Sequence, residues 1–321
     1  MQDKIKLAIS GKLFKWLGIL FFIYLALQCK AYAEQPFKVV AYQKYNTMAK
    51  FEPKVYGYID QLIYKLIRVK ADGELELLPS TLTDLKVLTN SKDGYNKVKL
   101  LIGIGGAKKN SAHFRVMADN PTARSNFVKN ISEFCQKYQL DGADIDWEYP
   151  ETHQEQANAL LLFKELQQTF NQKELILTAA ITYTPEQVRF AKQVEPFVHQ
   201  INLMAYEPIK GLTSFQQQID FAVTLIEKEA LSNEKLVVGL PFYGKNISTG
   251  KVMAYSKIVK AKQLGSLEIS KINYMNINEV QKNILMMKEK GYSGVMFWEL
   301  GFDTPLNSTT SLLRSINSAA K

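Results

Sequence analysis

The sequence predicts an α/β fold, a single (β/α)8 TIM barrel, on two observations. Eight short apolar runs alternate with amphipathic stretches of helical period, which is typical of parallel strands joined by helices. All eight fall within roughly 300 residues, which fits one closed barrel better than an open doubly wound sheet. The runs occupy residues 37–42, 62–69, 98–104, 142–147, 175–181, 200–206, 236–242 and 294–298.

Several of the intervening helices carry recognisable start and stop signals. Asn120 and Pro121 supply a cap and a first-turn proline for one helix, and Gly291 should end another. Apolar residues at helical spacing predict helices over residues 156–170, 215–230 and 277–290.

No boundary between folded domains is evident in the chain. No linker rich in Pro, Gly or Ser divides it, and no glycine-rich phosphate loop follows any strand. Residues 245–274 are the least patterned part of the chain. They are predicted to form loop and one short helix, too little for an independent domain.

The amino terminus has the composition of an export signal. Four lysines precede an apolar run over residues 16–27, and small residues follow at Ala31 and Ala33. This order predicts a signal peptide over residues 1–33 and a barrel domain over residues 34–321. The protein is therefore expected to be secreted or periplasmic without a stable membrane anchor. An uncleaved anchor remains the alternative, although the run is short for a membrane span.

Charge and cysteine content argue against several functional classes. Subtracting the five lysines and one aspartate of residues 1–33 lowers the formal charge from +9 to about +5, with the charges scattered. No basic cluster interleaved with aromatic residues suggests nucleic-acid binding. Cys135 is the one cysteine left, on an apolar helical face, and is expected to be a buried structural thiol. The histidines lack metal-site spacing, so no metal or cofactor is expected, and the chain is expected to be a monomer.

One strand carries three closely spaced acids. Asp144, Asp146 and Glu148 alternate with Ala143, Ile145 and Trp147. In a β-strand this spacing puts all three acids on one face, with Cα atoms about 6.6–6.8 Å apart from one acid to the next. Crowded, partly dehydrated acids do not stabilise a fold, so the pattern indicates chemistry in which their protonation states differ.

Two other interpretations of these acids are weaker. A solvated acidic surface does not usually alternate with Ile and Trp. A calcium loop could begin at Asp144 and end at Glu155, but its sixth position is Tyr149 where such a loop needs glycine.

The octapeptide over residues 141–148, D-G-A-D-I-D-W-E, resembles the D-G-x-D-x-D-x-E signature of family 18 glycoside hydrolases, the chitinase family. Strand-like segments from residue 39 to residue 303 are similar to the same family. The resemblance implies a secreted hydrolase that cleaves β-1,4 bonds of N-acetylglucosamine polymers (chitin or chito-oligosaccharides) by a retaining, substrate-assisted mechanism. It also implies the single-domain form without the insertion subdomain, which has a shallower groove.

The resemblance also implies catalytic roles for four residues. Glu148 corresponds to the general acid/base, with a raised pKa. Asp146 would orient the substrate acetamide and stabilise the charged intermediate, Asp144 would share a proton with Asp146, and Tyr206 would donate to the acetamide oxygen. A substrate-binding role is implied for five more residues: Trp298 as the floor under the sugar, Tyr42 beside the deep acid, and Met204, Glu207 and Tyr149 around the cleft.

Three departures from the family pattern stand out. Gly103 replaces the usual Ser, which should remove one hydrogen bond to Asp144 or leave it to water. Glu207 replaces the usual Asp, and Leu66 and Ile67 replace Phe and Ala in the second strand. None of these positions is expected to touch Glu148, Asp146 or Tyr206, so activity is expected to survive with a changed pH dependence or substrate range.

Two alternatives to a chitin hydrolase stay open. The first is a related hydrolase acting on peptidoglycan or on the chitobiose core of N-glycans. The second is a lectin-like protein that binds chitin without cleaving it, although such proteins commonly lack the acid at the position of Glu148.

Overall fold

Eight parallel strands close into a barrel, which confirms the predicted fold. In the computed structural model, which describes residues 36–266 and 268–321, the first strand pairs in parallel with both the second and the last strand. The predicted signal peptide lies outside the described residues. The barrel strands are buried along nearly their whole length, because side chains fill the barrel interior and helices cover its outside.

Twelve strands and nine α-helices make up the described part of the chain. The barrel strands are β1 (Lys38–Lys44), β2 (Gln61–Val69), β4 (Lys99–Gly105), β5 (Gly142–Asp146), β6 (Ile176–Ile181), β7 (Gln200–Leu203), β8 (Leu236–Pro241) and β12 (Gly294–Trp298), and the short strands are β3 (Leu75–Glu76), β9 (Tyr243–Asn246), β10 (Val252–Ala254) and β11 (Ile272–Asn273). The helices are α1 (Thr81–Asn90), α2 (Phe114–Asp119), α3 (Pro121–Lys137), α4 (His153–Gln172), α5 (Pro185–Val194), α6 (Phe215–Glu229), α7 (Tyr255–Gln263), α8 (Ile277–Glu289) and α9 (Leu312–Ala320). Of the helices described, none combines the length and the hydropathy needed to cross a bilayer.

The predicted helix start at Pro121 and helix end before Gly291 are confirmed, whereas the helix predicted over residues 156–170 is longer and spans His153–Gln172. The side chain of Asn120 accepts hydrogen bonds from the first backbone N–H groups of α3, and Pro121 is the first residue of that helix. Gly291 follows the end of α8 with a φ of +70°. The sixth strand was predicted too long, because β7 ends at Leu203 and the following residues turn towards the mouth of the barrel.

The segment after β8 is more ordered than the sequence predicts. Its single helix, α7, is confirmed, but the remainder is not loop, because β9 pairs antiparallel with both β10 and β11. These strands are too short to show a period of two. Gly244 permits the packing, since a Cβ there would lie 2.5 Å from the Ile258 side chain. A small insertion therefore stands between β8 and α8, within the one compact unit formed by residues 37–321.

The positive charge is also less scattered than expected. Residues 243–274, which form this insertion, contain six lysines and a single glutamate. The net formal charge of this segment, +5, equals the net charge of residues 34–321 as a whole. The remaining residues therefore carry equal numbers of positive and negative charges.

Two buried side chains, Trp147 just after β5 and Cys135 on α3, pack between β5 and the surrounding helices. Trp147 is buried and stacks on Phe114 at 5.4 Å between ring centroids, as expected for a side chain that points away from the acids. Cys135 is buried on α3, its thiol donates to the carbonyl oxygen of Gly142 at 3.5 Å, and burial raises its pKa to about 12. Its predicted structural role agrees with this position.

Replacing Gly142 with alanine is expected to lower the free energy of unfolding by about 2 kcal/mol or more. A Cβ at this position would lie 1.9 Å from the carbonyl oxygen of Ile176, so β5 and β6 would have to separate. Gly57→Ala is the matched control, because its Cβ would meet only the Tyr95 ring at an ordinary 3.6 Å. Equal urea midpoints for the two variants would contradict this reading of the strand contact.

Candidate active site

A cleft of about 360 Å³ opens at the carboxyl ends of the barrel strands. This is the end of such a barrel where catalytic side chains gather. Seven of the nine predicted site residues line it: Tyr42, Asp146, Glu148, Met204, Tyr206, Glu207 and Trp298. Lining residues that the sequence did not single out include Lys44, Lys65, Asn110, Tyr243, Val252 and Phe302. Of these, Tyr243 and Val252 come from the small insertion, so the insertion forms part of the wall.

Asp144 lies beneath the cleft with both carboxylate oxygens engaged. Tyr42 donates its hydroxyl to Oδ2 at 3.0 Å. Thr178 and Asn202 donate to Oδ1 at 2.6 and 3.0 Å. The side chain is completely buried, and three hydrogen-bond donors compensate for its lost hydration. Tyr42 therefore supports the deep acid as expected, and two donors from β6 and β7 replace the missing serine.

Among the described residues, no hydrogen bond joins Asp146 to Asp144, and the expected shared proton stays a prediction. The Oδ2 atom of Asp146 forms a salt bridge with the ammonium group of Lys65, which projects from β2. Both side chains are almost completely buried. Asp146 Oδ1 has no hydrogen-bond partner among residues 36–266 and 268–321.

Gly103 is the partner of Lys65 across the β2–β4 pair. A Cβ at Gly103 would lie 2.6 Å from Cδ of the lysine, so glycine leaves the room that the lysine side chain fills. Gly103 therefore affects Asp146 indirectly, because it admits a lysine side chain that contacts that acid. A signal was present in the sequence: one lysine interrupts an apolar strand run whose neighbours are buried.

Two of the acids that face the cleft, Asp146 and Glu148, have strongly raised pKa values. Burial, together with the charges of Asp146 and Glu207, raises the pKa of Glu148 to about 8. Burial and the charge of Asp144 raise the pKa of Asp146 to about 6, while Lys65 opposes this rise. At neutral pH Glu148 is thus mostly protonated and Asp146 mostly ionised, as an acid and its anionic neighbour should be.

The backbone of Glu148 is fixed by the loop after β4. Its N–H donates to the hydroxyl oxygen of Ser111 at 3.0 Å, and that hydroxyl donates to the carbonyl oxygen of Gly106 at 2.7 Å. The position of the acid therefore depends on a loop from a neighbouring strand as well as on β5.

Glu207 and Tyr149 form a hydrogen-bonded pair at one side of the cleft. The Tyr149 hydroxyl donates to the Glu207 carboxylate, and Tyr183 donates to the Glu207 carbonyl oxygen at 2.5 Å. Burial raises the pKa of Glu207. The Tyr149 hydroxyl therefore orients Glu207, and Tyr149 is not among the residues that line the cleft. Its substrate-binding role stays a prediction.

The aromatic side chains of the cleft differ in what they can offer. Tyr206 is buried, and the acceptor of its hydroxyl among the described residues is the Met296 sulfur at 3.9 Å, a weak acceptor. The hydroxyl can therefore still donate a strong hydrogen bond to a substrate. Trp298 is partly exposed at the end of β12, with its ring centroid 5.8 Å from that of Tyr42. It therefore presents an apolar surface beside the acids.

A second cavity, of about 450 Å³, carries no comparable chemistry. Its buried carboxylate, Asp303, accepts hydrogen bonds from the Ser311 hydroxyl and from the backbone N–H groups of Leu312 and Leu313. Asp303 thus serves to fix the start of α9. Across the described chain, no group of three His, Cys, Asp or Glu side chains is arranged to hold a metal ion.

Comparison with known families finds one match over most of the chain. The family described as "Glycosyl hydrolases family 18" matches residues 38–303. This range includes every barrel strand and all of the predicted site residues.

Individual relatives carry chitinase names. Probable chitinase 2 of Drosophila melanogaster is 30% identical over 182 residues, covering 50% of this chain and 38% of that protein. Chitotriosidase-1 of Mus musculus is 25% identical over 282 residues, covering 67% and 61%. The chain therefore spans less than two thirds of either relative. Among solved structures, the GH18 chitinase ChiB of Flavobacterium johnsoniae is similar with a TM-score of 0.75 and 25% identity, over 89% of this chain and 94% of that one.

Proposed function

The chain belongs to family 18 of the glycosyl hydrolases, and on that premise we propose that it hydrolyses β-1,4 bonds beside N-acetylglucosamine in chitin or chito-oligosaccharides. The observation that carries the proposal is the place of Glu148 in the wall of the cleft, where burial and the charges of Asp146 and Glu207 raise its pKa to about 8. Relatives of this chain named chitinases support the choice of substrate class.

Glu148 acts as the general acid in the first step. It gives its proton to the glycosidic oxygen of the leaving sugar, which lowers the barrier to breaking the bond at the anomeric carbon. Its raised pKa supports the role, since a carboxyl group with an ordinary pKa would already be ionised at neutral pH.

The attacking group in this proposal is the acetamide oxygen of the substrate. Asp144 is completely buried and accepts hydrogen bonds from three donors, and Asp146 is paired with Lys65. Neither carboxylate is therefore placed to act as a nucleophile. Oδ1 of Asp146 is buried without a partner among the described residues, so it can accept the acetamide N–H once substrate binding exposes it, and the Tyr206 hydroxyl can donate to the acetamide oxygen. Together they orient the oxygen towards the anomeric carbon and stabilise the resulting oxazolinium ion.

The second step restores the enzyme. Glu148, now ionised, removes a proton from a water molecule that attacks the anomeric carbon from the side the leaving sugar vacated. Two displacements at one carbon retain its configuration. Trp298 supports the ring through its apolar face during both steps.

The dependence of kcat/KM on pH should be bell-shaped, with its maximum near pH 7. Activity should rise as Asp146 loses its proton near pH 6 and fall as Glu148 loses its proton near pH 8. Because the acids interact, the two limbs report the group as a whole. Initial rates on a fluorogenic chitobioside between pH 4 and 10 would test this, and a single rising limb through pH 9 would contradict the acid role of Glu148.

Peptidoglycan and the chitobiose core of N-glycans contain the same sugar and are the competing substrates. Product analysis on chitin, peptidoglycan sacculi and a glycoprotein would separate them, with N-acetylglucosamine oligomers expected from chitin alone. Binding of chitotriose without cleavage of any of the three would instead identify a lectin.

We further propose that residues 1–33 direct export and that the mature chain is a secreted or periplasmic monomer. Lysines followed by an apolar run and small residues support export. Amino-terminal sequencing of the exported protein should begin at Glu34, and a chain that retains Met1 would indicate an anchor instead.

A further inference from the structure

Lys65 is the most unusual side chain in the cleft. It is a lysine with 1% side-chain exposure in the middle of a barrel strand, and among the described residues its only hydrogen-bond acceptor is Asp146 Oδ2. An isolated buried ammonium group is costly, so a paired lysine at this depth calls for a role.

One glycine provides the space for the lysine of this ion pair. A Cβ at Gly103 would lie 2.6 Å from Cδ of Lys65, which is too close for both to be accommodated. The β4 side of the site is thus shaped to admit the lysine stem beneath the cleft. The pairing register agrees, since Lys65 faces Gly103 on β4, and Gly105 at the end of β4 faces Asp146.

The two adjacent acids would otherwise have to share a proton. Ionising two neighbouring carboxyl groups costs free energy, because their negative charges repel each other. A proton shared between them, or a cation in contact with one of them, lowers this cost. Here neutral donors satisfy Asp144, whereas a cation satisfies Asp146. The charge balance of the pair therefore comes from a side chain of the protein and not from solvent.

We propose that Lys65 is a positioning residue for Asp146: its ammonium group replaces the proton that adjacent acids would share, and it fixes the carboxylate by holding one of its two oxygens. The proposal rests on the hydrolytic function proposed above. Lys65 occupies Oδ2, whereas Oδ1 is buried and has no hydrogen-bond partner among the described residues. An acetamide N–H is a complementary donor for Oδ1, which it reaches when the side chains that cover this atom move aside on substrate binding.

The ionisation of Asp146 depends on several groups besides Lys65. The titratable and charged side chains around it are Tyr42 and Lys44 on β1, Asp144 on β5, Glu148 after β5, and Tyr206 and Glu207 after β7. Two of these, Asp144 and Glu207, are acids whose charges disfavour the charge of Asp146, whereas Lys65 is the cation in direct contact with it. Removing this cation should therefore make Asp146 ionise only at higher pH.

Lys65→Met tests the proposal, because methionine keeps the apolar stem and removes the charge. The acid limb of kcat/KM is expected to move to higher pH by about one to three units, the range for loss of an adjacent opposite charge. Lys99→Met is the matched control, because Lys99 lies on β4, is half exposed and pairs with Asp141 away from the cleft. The pH dependence of kcat/KM in this variant should match that of the wild type. An unchanged acid limb in Lys65→Met would overturn the proposal.

A second pair of variants separates charge from packing. Lys65→Ala should show the same shift and should recover towards the wild-type limb when methylammonium enters the space left beside Gly103. The double variant Lys65→Ala with Gly103→Ser should show the shift without recovery, since serine fills that space. Failure of methylammonium to restore the limb in Lys65→Ala would contradict a role for the charge in this space, and equal recovery in both variants would mean that the added cation acts elsewhere.

A binding measurement keeps this test independent of turnover. In a Glu148→Gln background, the affinity for chitotriose, followed by tryptophan fluorescence, should weaken at low pH as Asp146 is protonated. Adding Lys65→Met should raise the pH midpoint of this loss of affinity by about one to three units, the shift expected for the acid limb of kcat/KM. A wild-type protein that binds but does not cleave would contradict the proposed hydrolysis alone, whereas equal midpoints would contradict the role of Lys65 alone.

Discussion

Replacing Glu148 with glutamine is expected to lower kcat on a fluorogenic chitotrioside by about 10²–10⁴-fold, the usual contribution of a general acid. Glutamine keeps the shape of the side chain but has no proton to give the leaving oxygen and cannot later activate water. The affinity for chitotriose should remain measurable, because Asp146, Tyr206 and Trp298 are unchanged. Steady-state rates and calorimetric binding on the same preparation test both parts.

Two controls separate lost chemistry from lost structure. Glu151→Gln makes the same substitution three residues away on an exposed side chain and should leave the rate unchanged. The fold itself should gain stability in Glu148→Gln: a carboxyl group whose folded pKa is raised from 4.5 to about 8 stabilises the folded state below pH 4.5, and this advantage is lost as the pH rises through 8. The melting temperature of Glu148→Gln relative to wild type should therefore increase from pH 4 to pH 9, and full activity in this variant would refute the acid assignment.

The barrel and the trio of acids could be predicted because each depends on local spacing. Parallel strands covered by helices appear as apolar runs, and alternation along β5 puts Asp144 and Asp146 on one face whatever surrounds them. Trp147 was placed on the opposite face by the same period, and the structure agrees.

The partners of the acids could not be predicted in the same way. Lys65 lies 81 residues from Asp146 in the chain, and only the register of β2 against β4 and of β4 against β5 brings them together. Gly103 was noted as a lost hydrogen bond, because from sequence alone an absent side chain reveals nothing of what fills its place. The pair Tyr149 and Glu207, separated by 58 residues, was missed for the same reason.

The small insertion shows a different limit. Strands β10 and β11 have three and two residues, too few for a period of two to emerge from the background. Their pairing depends on Gly244, whose missing side chain lets α7 and β11 approach β9. The expected shallow groove was inferred from the absence of an extra subdomain, yet this insertion supplies Tyr243 and Val252 to the cleft wall.

Removing the acetamide from the substrate is expected to reduce cleavage by on the order of 10³-fold or more, since a well-oriented intramolecular nucleophile is worth a large effective concentration. The comparison is between a fluorogenic chitobioside and the matching cellobioside, which differ at the 2-position. No carboxylate is free to replace the acetamide: Asp144 is bound by Tyr42, Thr178 and Asn202, and Asp146 by a lysine. A thiazoline analogue of the oxazolinium ion should compete with the substrate, because it presents the bicyclic form to Asp146 and Tyr206. Equal cleavage of the two glycosides would mean that a side chain attacks the anomeric carbon, and Glu207, which lines the same cleft, would then be the first residue to substitute.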